Sequence, residues 1–199
     1  MLLDIAATPE GRGPDLKLVE ELSDACFMPL TVGGGVRTLQ HVRDLLAAGA
    51  DKVVMGTAAY WDPHQVMRIA DVVGAQALVL SIDVRGGKVW VGCGRVATKT
   101  DPVRYARTMA AWGVGEILIT AIDREGTMQG YDVELTHAIA AAVDIPVIAN
   151  GGCGSYEHMH QALEAGASAV AAGAFFQFTD STPKAAAQYL AEKGIETRI

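Results

Sequence analysis

The sequence has 199 residues, of which 50% are hydrophobic, and a mean hydropathy of +0.23. This length suits one domain, and the apolar fraction excludes a disordered chain because it is enough to build a buried core. The 16 basic and 23 acidic side chains give a formal net charge of −7, which disfavours nucleic acid and anionic membrane surfaces as partners. Since no uncharged run reaches the ~18 residues that a membrane span requires, we expect a cytoplasmic protein.

The chain alternates between short, almost continuously apolar runs and stretches in which apolar residues recur every three or four positions. The runs are typical of strands in a parallel sheet that is covered on both faces, and the stretches indicate helices packed on one face. Seven βα units result. In chain order we predict strand Leu2–Ile5, helix Asp15–Ala25, strand Leu30–Val32, helix Leu39–Ala48, strand Lys52–Met55, helix Pro63–Val73, strand Ala77–Ile82, helix Pro102–Trp112, strand Glu116–Thr120, helix Val133–Val143, strand Pro146–Asn150, helix Tyr156–Ala165, strand Ala169–Ala172 and helix Pro183–Lys193.

One segment interrupts this alternation. Residues 84–98, VRGGKVWVGCGRVAT, alternate apolar and polar positions around Gly86 and Gly87. Adjacent glycines between alternating segments predict a β-hairpin. The hairpin follows the strand that ends near Asp83, and such insertions are where folds of this kind carry their working loops.

The sequence contains an internal repeat with an offset of 117 residues. PLTVGGG, from Pro29, matches PVIANGG, from Pro146, and the downstream segments AAGADKVVMG and EAGASAVAAG keep the same register. We interpret the copies as halves of an eight-stranded barrel, which typically takes about 250 residues. Only three strands precede the second half. We therefore predict an α/β fold of the (β/α)8 TIM-barrel type truncated to seven βα units, with residues 1–199 as one domain that lacks its first unit.

Glycine-rich turns recur at the carboxyl ends of the predicted strands, where this fold places its active site. Backbone N–H groups in such turns converge on anions, and a following helix N-terminus adds partial positive charge. The repeat supplies two such devices, which predict a substrate with a phosphate at each end; the alternative is that the glycines only shape tight turns. The candidate residues are Gly34, Gly35 and Thr57 at one site and Gly151, Gly152 and Gly173 at the other.

Asp83 is the candidate acid–base residue because it ends the apolar run ALVLSI, where partial desolvation tunes a carboxylate for proton transfer. The alternative is that it caps a loop. Asp4 and Thr120 also lie at strand ends and are predicted to contact the substrate, although Asp4 could instead orient a loop. The three cysteines are too scattered for a disulfide framework or a zinc site, and the five histidines fall on or beside helices. We therefore predict no metal site and no cofactor.

Six segments resemble the cyclase subunit family of imidazole glycerol phosphate synthase, an enzyme of histidine biosynthesis. They are LDIAATPEGR at 3–12, FMPLTVGGGVRT at 27–38, GADKVVMGTAA at 49–59, SID at 81–83, GEILITAIDREGTMQGYD at 115–132 and IPVIANGGCG at 145–154. The similarity runs along the whole chain. The GYD ending of the fifth segment distinguishes this family from the sister isomerase of the same pathway, which has the same barrel and the same duplicated phosphate sites.

The resemblance implies a lyase of a glutamine amidotransferase complex. Ammonia from a partner glutaminase, the other half of a heterodimer, passes along the barrel axis and attacks a bis-phosphorylated aminoimidazole carboxamide ribonucleotide, which yields imidazole glycerol phosphate and aminoimidazole carboxamide ribotide. Of the two aspartates that the family uses as general acid and base, one matches Asp83 and the other would precede Met1. The resemblance also assigns Gly126 to the second phosphate site. It places Asp51, Lys52, Gln76 and Glu116 at the barrel bottom, where the glutaminase docks and ammonia enters.

Three positions depart from the family pattern and leave alternatives open. Glu125 replaces an aspartate, Gly173 replaces a common serine, and Lys99 stands where a glycine is common. One alternative is a paralogous subunit that supplies ammonia for sugar amidation in surface-polysaccharide biosynthesis. A second is a non-catalytic barrel fragment or scaffold, and a third is the sister isomerase, which turns over its aminoaldose substrate without ammonia.

Overall fold

Seven parallel strands form the wall of the fold in the computed structural model, which describes residues 1–197. In chain order the strands of residues 1–197 are β1 (Leu2–Leu3), β2 (Thr31–Gly33), β3 (Lys52–Met55), β4 (Leu78–Arg85), β5 (Lys88–Val91), β6 (Val96–Ala97), β7 (Glu116–Ala121), β8 (Val147–Asn150) and β9 (Ala169–Val170). Two of them, β5 and β6, pair antiparallel beside this wall. The parallel strands follow the order β1-β2-β3-β4-β7-β8-β9. Within residues 1–197, β1 pairs only with β2 and β9 only with β8, so the wall is open between them. The sheet confirms the predicted α/β fold with seven parallel strands, here in an open wall.

Helices connect the parallel strands and cover the outer face of the sheet. They are α1 (Leu16–Ala25), α2 (Leu39–Ala47), α3 (Thr57–Trp61), α4 (Pro63–Val73), α5 (Pro102–Ala111), α6 (Val133–Ala140), α7 (Tyr156–Glu164), α8 (Ala174–Phe178) and α9 (Pro183–Glu192). Each of the longer helices follows a polar residue whose side chain accepts a backbone N–H of the first turn, a contact worth about 1 kcal/mol. These N-cap residues are Asp15, Thr38, Asp62, Asp101, Asp132, Ser155 and Thr182.

The elements differ from the sequence prediction in two ways that matter for the site. Helices α3 and α8 were not predicted, because five residues are too few to show a helical period. Strand β4 runs on to Arg85, so Asp83 lies within the strand and not after its end. The extension exists because β4 pairs with β7 from Val79 to Val84 and with the hairpin strand β5 from Asp83 to Arg85.

Strand residues alternate between two cores. Leu78, Leu80 and Ile82 of β4 pack in the larger core between the sheet and the helices. Val79 instead packs with Val54 and Leu118 in a separate cluster inside the barrel. Since side chains of a strand alternate in direction, Asp83 lies on the same inner face as Val79.

The predicted hairpin forms at the carboxyl end of β4. The backbone pairs Val84 with Val89 and Arg85 with Lys88 in antiparallel register. The turn between these pairs is Gly86-Gly87, with φ of 57° and 68°, a left-handed conformation that glycine adopts without steric cost.

Candidate active site

The carboxyl ends of the parallel strands surround an open cavity of about 1300 Å³. A smaller pocket adjoins it and shares Glu125, Asn150 and Gly173 with it. The predicted site residues that line the larger cavity are Asp4, Gly34, Gly35, Thr57, Asp83, Thr120 and Gly173. Those that line the smaller pocket are Gly126, Gly151, Gly152 and Gly173. The structure therefore brings every predicted residue of the upper site to one end of the barrel.

Asp83 is held in the wall of this cavity by strands on both sides. Its backbone pairs with Thr120 of β7 and with Trp90 of β5. Burial raises the pKa of Asp83 to about 6, and the negative charge of nearby Glu125 acts in the same direction. A carboxyl group with this pKa exchanges protons readily near neutral pH, which is the chemistry that the sequence predicts for this position.

A polar network lies beside Asp83 on the neighbouring strands. Asn150 donates from Nδ2 to Thr120 Oγ1 at 3.1 Å and to Glu125 Oε2 at 3.4 Å. Burial raises the pKa of Glu125. The sequence predicts no role for Asn150, although it lies at the end of a predicted strand directly before a glycine pair, and marks Glu125 only as a departure from the family pattern.

The first glycine turn follows β2. Gly34 and Gly35 have φ of 108° and 67°, and a Cβ at Gly35 would lie 2.6 Å from the carbonyl oxygen of Arg12. Only glycine fits this approach. Thr57, at the start of α3 on the next βα unit, accepts a hydrogen bond on Oγ1 from the N–H of Gly92 at 2.8 Å. Because Gly92 follows β5 of the hairpin, this bond holds the hairpin over this part of the cavity.

The second glycine turn follows β8. Gly151 and Gly152 have φ of 94° and 96°. The N–H of Gly130 donates to the carbonyl oxygen of Gly152 at 2.6 Å. This bond ties the turn to the segment after β7, which carries Gly126, and explains how two distant segments form one pocket wall.

The carboxylate of Asp4 is bound by other residues of the loop that follows β1. Both carboxylate oxygens contact the Arg12 guanidinium, at 2.5 and 3.0 Å. The N–H groups of Ala6 and Ala7 donate to Oδ1. The Arg12 contact holds the pKa of Asp4 below its usual value. This geometry favours loop orientation, and the predicted contact of Asp4 with substrate stays a prediction.

A second polar group lies at the opposite ends of the strands, which is the barrel bottom. Lys52 begins β3 and Glu116 begins β7, and their side chains form a partly buried ion pair. Asp51 accepts the N–H of Leu30 at 2.6 Å. Gln76 is exposed in the turn that precedes β4. The structure therefore separates the four residues predicted for ammonia access from Asp83 by the length of the strands.

Residues 1–197 hold no group of three or more His, Cys, Asp or Glu side chains that is arranged as a metal site. In the same part of the chain, every helix is too short or too polar to cross a membrane. Cys26, Cys93 and Cys153 are free thiols.

Comparisons with known proteins agree with this arrangement. The family model described as "Histidine biosynthesis protein" matches residues 1–182. Two relatives, each an "Imidazole glycerol phosphate synthase subunit HisF", are 44% identical over 203 aligned residues that include the whole chain. The alignment covers 81% of the relative from Thermococcus gammatolerans and 78% of the one from Endomicrobium trichonymphae. With its parallel barrel wall and its paired glycine turns, the chain belongs to the histidine biosynthesis protein family.

Proposed function

We propose that this chain is the cyclase subunit of imidazole glycerol phosphate synthase. In this reaction ammonia and a bis-phosphorylated aminoimidazole carboxamide ribonucleotide yield imidazole glycerol phosphate, aminoimidazole carboxamide ribotide and water. One observation supports the proposal most directly, which is the place of Asp83 on β4. On one side, β3 separates β4 from β2, the strand before the first glycine turn. On the other side, β7 separates β4 from β8, the strand before the second glycine turn. An acid–base group midway between two anion turns suits a substrate with two phosphates.

The chemistry follows from this placement. The turns at Gly35 and Gly152 would each hold one phosphate through backbone N–H groups. The substrate would then span the cavity with its reactive centre beside Asp83. Because the pKa of Asp83 is about 6, the carboxylate is mostly ionised at neutral pH. It would accept a proton from the attacking ammonia nitrogen and return it as the ring closes.

The relatives are named as subunits, which implies a partner subunit for this chain. We propose that the partner is a glutaminase that docks at the barrel bottom. The exposed side chains of Asp51 and Gln76 would contact it. Ammonia would enter past the Lys52–Glu116 ion pair and travel through the barrel interior to Asp83.

The test is turnover of the bis-phosphorylated substrate with ammonium chloride, with imidazole glycerol phosphate measured by mass spectrometry. We expect turnover by the wild-type protein and a loss of at least about 100-fold in Asp83→Asn. Asp123→Asn is the control, since Asp123 is exposed and lies three residues along from Thr120. Turnover of the aminoaldose isomerase substrate without ammonia, or equal turnover by Asp83→Asn, would contradict the proposal.

A further inference from the structure

Two histidines occupy equivalent positions in the internal repeat. His41 and His158 are separated by 117 residues, the offset of the repeat. Each lies in the first turn of the helix that follows a glycine turn, α2 for His41 and α7 for His158. Neither histidine is among the residues that line the cavity.

Each histidine makes the same pair of hydrogen bonds. The backbone N–H of His41 donates to the N-cap Thr38, and the N–H of His158 donates to the N-cap Ser155, both at 3.1 Å. In return, His41 Nδ1 accepts the N–H of Arg37 at 3.4 Å. His158 Nδ1 accepts the N–H of Gly154 at 3.2 Å.

These bonds form a variant of the capping box. In the usual box, a Glu or Gln at the third helical position accepts a backbone N–H at the helix start. Here a histidine takes that role and reaches one residue further back, to the N–H of the residue directly before the N-cap. Since Nδ1 accepts, the neutral ring carries its proton on Nε2.

Each ring also covers a glycine of the preceding βα loop. A Cβ at Gly13 would lie 3.4 Å from the His41 ring, and one at Gly130 would lie 3.5 Å from the His158 ring. Gly13 and Gly130 are themselves equivalent in the repeat, and each lies two residues before an N-cap aspartate, Asp15 or Asp132. One side chain therefore contacts both backbone segments that border an anion turn.

We propose that His41 and His158 are positioning residues, each of which orients one of the two glycine turns to bind phosphate. The proposal rests on the anion-binding role of the turns in the proposed function. The histidine accepts the N–H of Arg37 or Gly154, two residues after Gly35 or Gly152, and so fixes the backbone between the glycine pair and the helix. The N–H groups of Gly35 and Gly152 would then be left to the anion. By packing on Gly13 or Gly130, the ring fixes the neighbouring loop against the same turn.

The test measures phosphate binding directly with inorganic phosphate as the probe, by isothermal titration of the full chain. We expect two sites. His41→Leu weakens the site at Gly34-Gly35, and His158→Leu weakens the site at Gly151-Gly152, each by about 3- to 10-fold, the equivalent of one lost hydrogen bond of roughly 1 kcal/mol. Each variant leaves the other site at its wild-type affinity, so the two serve as controls for one another.

Glutamine variants separate the acceptor from the bulk of the ring. In His41→Gln and His158→Gln the side-chain oxygen can accept the same N–H, so we expect phosphate affinity within about twofold of wild type. In the leucine variants we expect the KM for the bis-phosphorylated substrate to increase without a fall in kcat. Thermal unfolding of each variant checks that it is folded. Wild-type phosphate affinity in both folded leucine variants would overturn the inference, as would glutamine variants that bind as weakly as the leucine ones.

Failure of the proposed function gives a different result. If the protein binds two phosphates with the expected dependence on His41 and His158 but does not turn over the bis-phosphorylated substrate, the positioning role stands and the cyclase assignment falls.

Discussion

Asp83 shows how one half-buried carboxylate couples stability to function. Its pKa of about 6 lies above the ~3.9 of an unfolded chain, because burial disfavours the charged form. The native state therefore binds the proton more tightly than the unfolded state. The free energy of unfolding falls as the pH rises from about 4 to about 6, and above that range the fold carries a buried charge.

We therefore expect Asp83→Asn to stabilise the protein at pH 8 by roughly 1–3 kcal/mol, at about 1.4 kcal/mol for each unit of pKa. At pH 4 the gain disappears, because the wild-type carboxyl group is then neutral as well. Urea unfolding at both pH values measures this, with Asp123→Asn as an exposed control. An equal gain at pH 4 and pH 8 would show that ionisation of Asp83 is not the cause.

The same ionisation predicts the pH profile of activity. If ionised Asp83 accepts the proton, kcat/KM rises with pH through about 6 and reaches a plateau above 7. The residual activity of Asp83→Asn lacks this rise. A profile measured with saturating ammonium, corrected for the ammonia fraction at each pH, distinguishes the carboxylate from the nucleophile. A rise that persists in Asp83→Asn would assign the titration to another group.

At the scale of elements, Gly152 and Gly173 belong to the same predicted phosphate site but differ in what each glycine does. Gly152 has a positive φ, and a Cβ there would meet the Gly130 carbonyl and lie 3.0 Å from the Arg124 side chain. Gly173 has φ of −100° and nothing within 4 Å of a Cβ. The first position requires glycine for its backbone and its surroundings, whereas the second tolerates a side chain.

This contrast gives a matched pair of substitutions. We expect Gly152→Ala to lower the free energy of unfolding by about 1–3 kcal/mol, from the positive φ and the displaced loop. We expect Gly173→Ser to change it by less than about 0.5 kcal/mol. Chemical denaturation measures both. Similar losses in the two variants would mean that the close approach at Gly152 relaxes without cost.

At the scale of the whole molecule, the parallel sheet divides the protein into two ends. Every strand carries its turn residues to the cavity, whereas Lys52 and Glu116 begin their strands at the other end. In the proposed function the acceptor site and the ammonia source lie at opposite ends, and ammonia would have to pass between them. The inner cluster of Val54, Val79 and Leu118 lies on the inner face of the sheet, between these two ends.

The separation of the two ends predicts separable activities. In the complex with the glutaminase, we expect Gln76→Ala to reduce glutamine-dependent turnover several-fold through weaker docking of the partner. Turnover with ammonium chloride stays within about twofold of wild type, because Gln76 is remote from the cavity. The ratio of the two rates is the measurement. An equal fall in both rates would place the effect in the fold and not at the docking surface.

Local properties of the sequence predicted most of the fold. Apolar runs located the seven parallel strands and Asp83 at the end of one of them, and the repeated glycine pairs located both glycine turns. Strands, helices and turns depend mostly on residues that are close in the chain, so their periodicity and backbone preferences can be recognised without a structure. The helices of five residues escaped prediction because they have no measurable period.

Only the tertiary structure decided the properties that depend on distant residues. The sequence predicted partial desolvation of Asp83, but only the structure gives the size of its pKa shift and the Arg12 contact that occupies Asp4. Lys52 and Glu116 are 64 residues apart, yet form an ion pair. The physical reason is that desolvation and charge pairing vary with separation in space, and the pairing of the strands in one sheet sets that separation.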